Sequence, residues 1–207
     1  MILVGQYDSP FVRRVAVSLL LLGFTYEHDT RSVFGDFDSM RTTNPLGRIP
    51  SLILDDGETL IDSAAILDWL DEKAGPGHAL IPASGPARRV ALQKIALATG
   101  AIDKIGAANY ERLIRPATYR WPDWIERCLT QFDSAVVALE KQDWPLDTPL
   151  DQVGITTACM LFYVQVTDPD RLPPMRFPKL TAFAAHCRAM DAFKATSFSD
   201  YAVPRAE

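Results

Sequence analysis

The sequence predicts an α/β half followed by an all-α half: a small mixed sheet covered by helices, then a C-terminal helical bundle. Three observations predict it. Short apolar strand-like pieces alternate with helix-like ones through about residue 74. The stretch from Gly75 to Pro86 carries Gly-Pro-Gly, Ile-Pro and Gly-Pro, a composition unlike either flank and suited to a linker. Beyond it, apolar residues recur at spacings of three and four, as in Leu92, Ile95, Ala98, Ile102 and Ile105. The expected units are 1–76, a linker at 77–85, and 86–207.

Taken in order, Ile2-Leu3-Val4 reads as a short buried strand. Asp8-Ser9-Pro10 turns the chain and sets proline at a first helical position. Phe11 to Leu22 continues as a mostly apolar helix, stopped by Gly23. Tyr26 to Thr30 is expected as a second strand and Ser51 to Leu54 as a third. Asp55-Asp56-Gly57 is a tight turn into Thr59-Leu60-Ile61, a hairpin signal. A helix is expected from about Ala64 to Lys73 with Ser63 as its cap. In the second half, Arg115-Pro116 should end the first long helix. Further helices are expected over Pro122 to Lys141, from a Thr148-Pro149-Leu150-Asp151 capping box through Val166, and from Pro178 to about Met190.

Bulk properties narrow the partners. The 207 residues are 48% hydrophobic and 23% charged, with a formal net charge of -5. That is the balance of an ordinary globular protein, and it gives a nucleic-acid partner no support. Cys128, Cys159 and Cys187 are far apart and form no CxxC pattern, so three buried thiols are expected rather than a disulfide framework or a metal site. Unpaired thiols fit the cytoplasm. No targeting segment is visible, and the longest apolar run, Val15 to Phe24, is too short to span a bilayer. No membrane partner is expected.

Three segments carry a family resemblance: Ser9-Pro10-Phe11-Val12-Arg13-Arg14-Val15 after the first strand, Asn44-Pro45-Leu46-Gly47-Arg48-Ile49-Pro50 before the third, and Asp62-Ser63 after the fourth. Their order and spacing resemble the glutathione transferase superfamily, and the Ser-Pro-Phe form is similar to its serine-type classes, including plant tau and several bacterial groups. The resemblance implies a thioredoxin-like βαβ-ββα domain that binds glutathione. A helical domain would supply a second-substrate pocket. It implies a cytoplasmic homodimer acting in detoxification, a small electrophile as co-substrate, and no metal or cofactor beyond glutathione.

The chemistry to be done is simple. Glutathione's thiol has a pKa of about 8.5, and its thiolate is the nucleophile. A hydroxyl that donates to sulfur, set at a helix entrance, lowers that pKa. The resemblance gives this catalytic role to Ser9. The same hydroxyl also reads as a plain helix cap, and cap and catalysis compete for it. Tyr7 is the rival hydroxyl and otherwise a wall of the second pocket or a packed aromatic. Ile49-Pro50 resembles a cis-proline corner that offers the Ile49 backbone to the cysteinyl unit like an added strand. Arg48 suits the glycyl carboxylate. Asp62 and Ser63 suit the γ-glutamyl end, although aspartate stands where glutamate is commoner. Phe34 is placed against glutathione and is also a candidate for the second pocket.

For that second pocket, Phe11, Tyr110, Arg115, Trp121 and Phe162 are candidates by position, each also readable as core or surface. The resemblance implies that Asp103 could reach across a dimer to the γ-glutamyl amine; it also reads as an exposed helical aspartate near Lys104. Two other functions stay open: a non-catalytic binding protein on the same scaffold, and a glutathione-dependent dehalogenase or reductase. Thiol exchange would want a cysteine at position 9, where serine stands.

Overall fold

A computed structural model describes residues 1–198; the last positions expected in the second unit, 199–207, lie outside the described residues. Strands β1 (Ile2–Val4), β2 (Glu27–Asp29), β3 (Ser51–Ile53) and β4 (Thr59–Ile61) form one sheet in the order β2-β1-β3-β4. β1 runs parallel to β2 and antiparallel to β3, which is antiparallel to β4. Parallel neighbours need a crossover, and α1 (Pro10–Leu21) provides it. The hairpin β3-β4 leads into α3 (Ser63–Ala74).

The register decides what this sheet can do. Val4 pairs with Asp29 on one side and with Ser51 on the other, and Ser51 pairs with Ile61. One end of the sheet therefore gathers the exits of β1, β2 and β4 and the entry of β3. The Ser9, Phe34, Ile49-Pro50 and Asp62-Ser63 segments all leave from or arrive at that end.

Helix α1 is mostly apolar because nine of its twelve residues are buried. Val12, Val15, Ala16 and Leu19 pack with Leu3 and Leu52 of the sheet and Ile66 and Leu70 of α3. Val17 belongs to a second core made by α4 (Gly85–Leu113), α5 (Pro122–Glu140), α6 (Gln152–Thr167), α7 (Pro178–Ala189) and α8 (Asp191–Ala195). Arg13 crosses between the two halves. Its guanidinium lies 4.7 Å from the Phe162 ring and donates to the Phe193 carbonyl at 3.0 Å.

Three expectations need correction. The α3 cap is Asp62, whose carboxylate accepts from Ala64 N at 2.9 Å; Ser63 is buried and its hydroxyl is taken by Arg14. The α6 cap is Asp151 itself, accepting from Gly154 N at 2.8 Å, so Thr148 stands outside the helix. Leu92 is off the buried stripe of α4, which enters one residue earlier at Ala91 and continues through Ala98, Ile102 and Ile105. The short helix α2 (Phe37–Thr43) had no expectation at all. It buries only Met40, too little for a periodic signal, and is held by Arg31, which donates to Ser39 Oγ at 2.9 Å and Thr43 Oγ1 at 3.1 Å.

The cysteines supply a first prediction. All three are buried, and burial pushes the Cys159 and Cys187 thiols up to about 12. At neutral pH this means about 10³-fold less thiolate than an ordinary thiol would hold. None of the three should react with an alkylating reagent until the protein unfolds. Above pH 9.0 the unfolded chain loses thiol protons that the folded chain keeps, so stability should fall as pH rises from there toward about 12. Labelling followed by mass spectrometry, and denaturant midpoints across that window, check both.

Candidate functional site

Two contiguous hollows open at the sheet end described above. The larger encloses about 530 Å³, within the usual range for small-molecule sites, and Ser9, Phe11, Phe34, Arg48, Ile49 and Tyr110 are among the residues lining it. The smaller, about 290 Å³, is lined by Arg14, Arg48, Pro50, Asp62 and Ser63 among others. Phe11, Arg48, Ile49 and Asp103 line both. The chain thus brings together every residue expected around glutathione, from four segments distant in sequence.

Ser9 is the N-cap of α1. Its Oγ accepts from Val12 N at 3.4 Å, the long limit of a hydrogen bond. Accepting uses a lone pair and leaves the hydroxyl proton to donate, so capping and thiolate stabilisation need not compete. The helix start adds positive potential at the same place.

Behind Ser9 the corner is tightly built. The Ile49-Pro50 bond is cis. Gly5, just after β1, has φ of 125°; a Cβ there would sit 2.6 Å from Val12 Cγ2 and 2.8 Å from Ile49 Cβ. Only glycine lets β1, α1 and the proline corner approach so closely. Asn44 secures the loop by donating from Nδ2 to the Arg48 carbonyl at 2.8 Å.

The smaller hollow is organised by Arg14, which had no assigned role. Arg14 is buried and donates to Ser63 Oγ from Nε at 3.1 Å and from Nη2 at 2.7 Å. Among the described residues no carboxylate lies within ion-pair distance of it. Burial therefore pulls Arg14 down to about 10, opposed mainly by the charge of Asp62. Asp62 has φ of 67°, a strained value for a residue with a side chain, and strain of this kind concentrates at ligand sites. Asp103 borders the same space, and partial burial pushes its carboxyl up against the pull of Arg48. The signal for Arg14 was present: a charged residue inside a mostly apolar helix must have a buried task.

Several candidates fall elsewhere. The Tyr7 hydroxyl bonds Tyr26 Oη at 2.8 Å and its ring stacks on His28 with centroids 3.9 Å apart, beneath the sheet end and outside the cleft lining. Burial, helped by that bond, raises the Tyr26 pKa. Arg115 turns back to Glu111 at 2.9 Å. Phe162 is in the helical core, with Arg13 and Arg188 against its ring. Trp121 is exposed and stacks on Trp124. Of the expected second-pocket residues, Phe11 and Tyr110 line the cleft, and Asp103 lines it within its own protomer.

Among the described residues, no helix is long and apolar enough to cross a membrane. Residues 3–78 match the family model of the glutathione S-transferase N-terminal domain. YibF, an uncharacterized GST-like protein of Escherichia coli K12, is 32% identical over 168 residues, covering 78% of this chain and 81% of its own length. A glutathione transferase family member from Pseudomonas fluorescens Pf-5, crystallised with bound glutathione, has a TM-score of 0.85 at 32% identity over 94% of this chain and 97% of that one. The glutathione S-transferase of Methylobacillus flagellatus KT, also with glutathione bound, gives 0.85 at 28% identity, covering 95% and 98%. A likeness that runs the length of the chain, joined to a cleft assembled from the three resembling segments, makes this chain a member of the glutathione S-transferase superfamily.

Proposed function

We propose that this protein binds glutathione across the two hollows and activates its thiolate for attack on an electrophilic small molecule. The observation that carries the reading is the convergence of Ser9, Arg48, Ile49, Asp62 and Ser63 on one continuous space. In this reading the γ-glutamyl end lies in the smaller hollow, its carboxylate at Ser63 and the start of α3, and its ammonium at Asp62 with Asp103 nearby. The cysteinyl unit pairs with the Ile49 backbone, Arg48 faces the glycyl carboxylate, and the Ser9 proton points at sulfur. Glutathione bound in the Pseudomonas and Methylobacillus relatives supports the ligand assignment. The serine at position 9 favours transfer over thiol exchange, which needs a reactive cysteine there. We further take the working form to be a cytosolic homodimer.

Calorimetry with glutathione and turnover against an electrophile panel test this together. Binding with turnover supports the reading, binding without turnover indicates a glutathione-binding protein that is not an enzyme, and neither defeats it. Because Tyr7 is held by Tyr26 outside the cleft, Tyr7→Phe should keep turnover within about two-fold and cost only about 1 kcal/mol of stability for the lost hydrogen bond. Loss of most activity in that variant would return the sulfur contact to Tyr7.

A further inference from the structure

Gly5 poses a mechanical problem that its close packing does not solve. The missing side chain lets β1, α1 and Ile49 meet, but glycine is the loosest residue of a backbone, and Gly5 stands just upstream of Ser9. The Gly5–Gln6 peptide sets the direction in which the chain leaves β1. A rotation there would carry Ser9 with it. Hydrogen bonds weaken steeply with distance and angle, and a misplacement of about 1 Å can cost on the order of 10²-fold in rate.

The hold on that peptide comes from β2. This is the outer strand of the sheet, and its residues Glu27, His28 and Asp29 are all polar, so apolar burial does not explain it. The Gly5 N–H donates to the Asp29 carbonyl at 2.8 Å, and His28 Nε2 lies 2.7 Å from the Gly5 carbonyl. A carbonyl only accepts, so Nε2 carries a proton and donates it. Two consecutive residues of the neighbouring strand therefore clamp both sides of one glycine. The imidazole is fixed in turn by Tyr7, which stacks on it with centroids 3.9 Å and planes 12° apart. Downstream, Ser9 N donates to the Gln6 carbonyl at 3.2 Å, which passes the orientation of the clamped peptide to the start of α1.

Resting on the thiolate-activation reading above, we propose that His28 is a positioning residue: through the Gly5 carbonyl it fixes the path from β1 to Ser9 and so aims the Ser9 hydroxyl at sulfur. His28 lines neither hollow and acts at one remove. The Tyr7 ring orients the imidazole, while the Tyr7–Tyr26 hydroxyl bond is dispensable to it, in keeping with the mild effect expected of Tyr7→Phe.

The test follows three readouts in the full chain: thiolate ultraviolet absorbance of bound glutathione, glutathione affinity by calorimetry, and turnover with an electrophile. His28→Phe keeps a flat ring against Tyr7 but has no donor. His28→Gln brings an amide N–H to the Nε2 position without a ring. The Phe variant should raise the bound-thiol pKa by about one unit, a tenfold loss of thiolate below that pKa, and lower kcat about tenfold. Glutathione affinity should stay within about two-fold, and His28→Gln should recover most of both losses. Added to Ser9→Ala, His28→Phe should cost nothing further, because His28 acts only through Ser9. Should the Phe variant not fold, His28→Asn, whose amide ends one bond short of the Nε2 position, takes its place with the same expectation. A wild-type thiol pKa and turnover in these variants overturns the proposal. So does an equal loss in His28→Gln, a parallel fall in glutathione affinity, or a further loss on top of Ser9→Ala, each of which marks His28 as ordinary packing. A wild-type chain that binds no glutathione, or leaves its thiol pKa unlowered, would instead remove the activation reading, and this one with it.

Discussion

Replacing Ser9 by alanine is expected to lower conjugation of glutathione by about 10- to 100-fold, the worth of a hydrogen bond to a charged group. Glutathione affinity should hold within about two-fold, because the γ-glutamyl and glycyl contacts lie elsewhere. The cap bond lost with it is already long at 3.4 Å, so the fold should lose well under the ~1 kcal/mol typical of a serine cap. The expected signature is thus a fall in kcat with little change in KM or melting temperature. A variant that loses glutathione affinity as well would show that Ser9 holds the tripeptide rather than its charge state.

The second large effect is expected at Arg14, with opposite signs on binding and stability. Arg14 is a desolvated cation whose two donors serve one hydroxyl and which, among the described residues, has no carboxylate within ion-pair distance. Burying such a charge is costly, and apolar replacement of buried ionic groups is often neutral or stabilising. Arg14→Met should therefore leave the melting temperature unchanged or raise it. Glutathione binding should weaken by about tenfold or more, since Ser63 loses its anchor and the γ-glutamyl carboxylate loses a nearby positive charge. Arg14→Lys, which keeps the charge but not the two-point hold, should fall between. Denaturant melts and calorimetry on the three proteins check this. Equal loss of stability and affinity would mark Arg14 as ordinary core.

Much of this was legible because it rests on local chemistry. Ser9-Pro10 reads as a helix entry, Asp55-Asp56-Gly57 as a hairpin turn, and Ile102 and Ile105 of α4 as a buried face, since each depends on near neighbours. The helix caps were harder. Ser63 and Thr148 are good caps in isolation, but tertiary contacts decide, and Arg14 claims the Ser63 hydroxyl. The second pocket was least legible. Phe162, Arg115 and Tyr7 have the right chemistry and nearby positions, yet which side of a helix or strand faces a cleft depends on packing between distant segments.

The most direct test titrates the thiolate ultraviolet absorbance of glutathione bound to the wild-type protein and to Ser9→Ala. The account predicts a bound-thiol pKa about one to two units below the free value of about 8.5 in the wild type, returning most of the way in the variant. A wild-type pKa equal to that of free glutathione, or one that Ser9→Ala leaves unmoved, would contradict it.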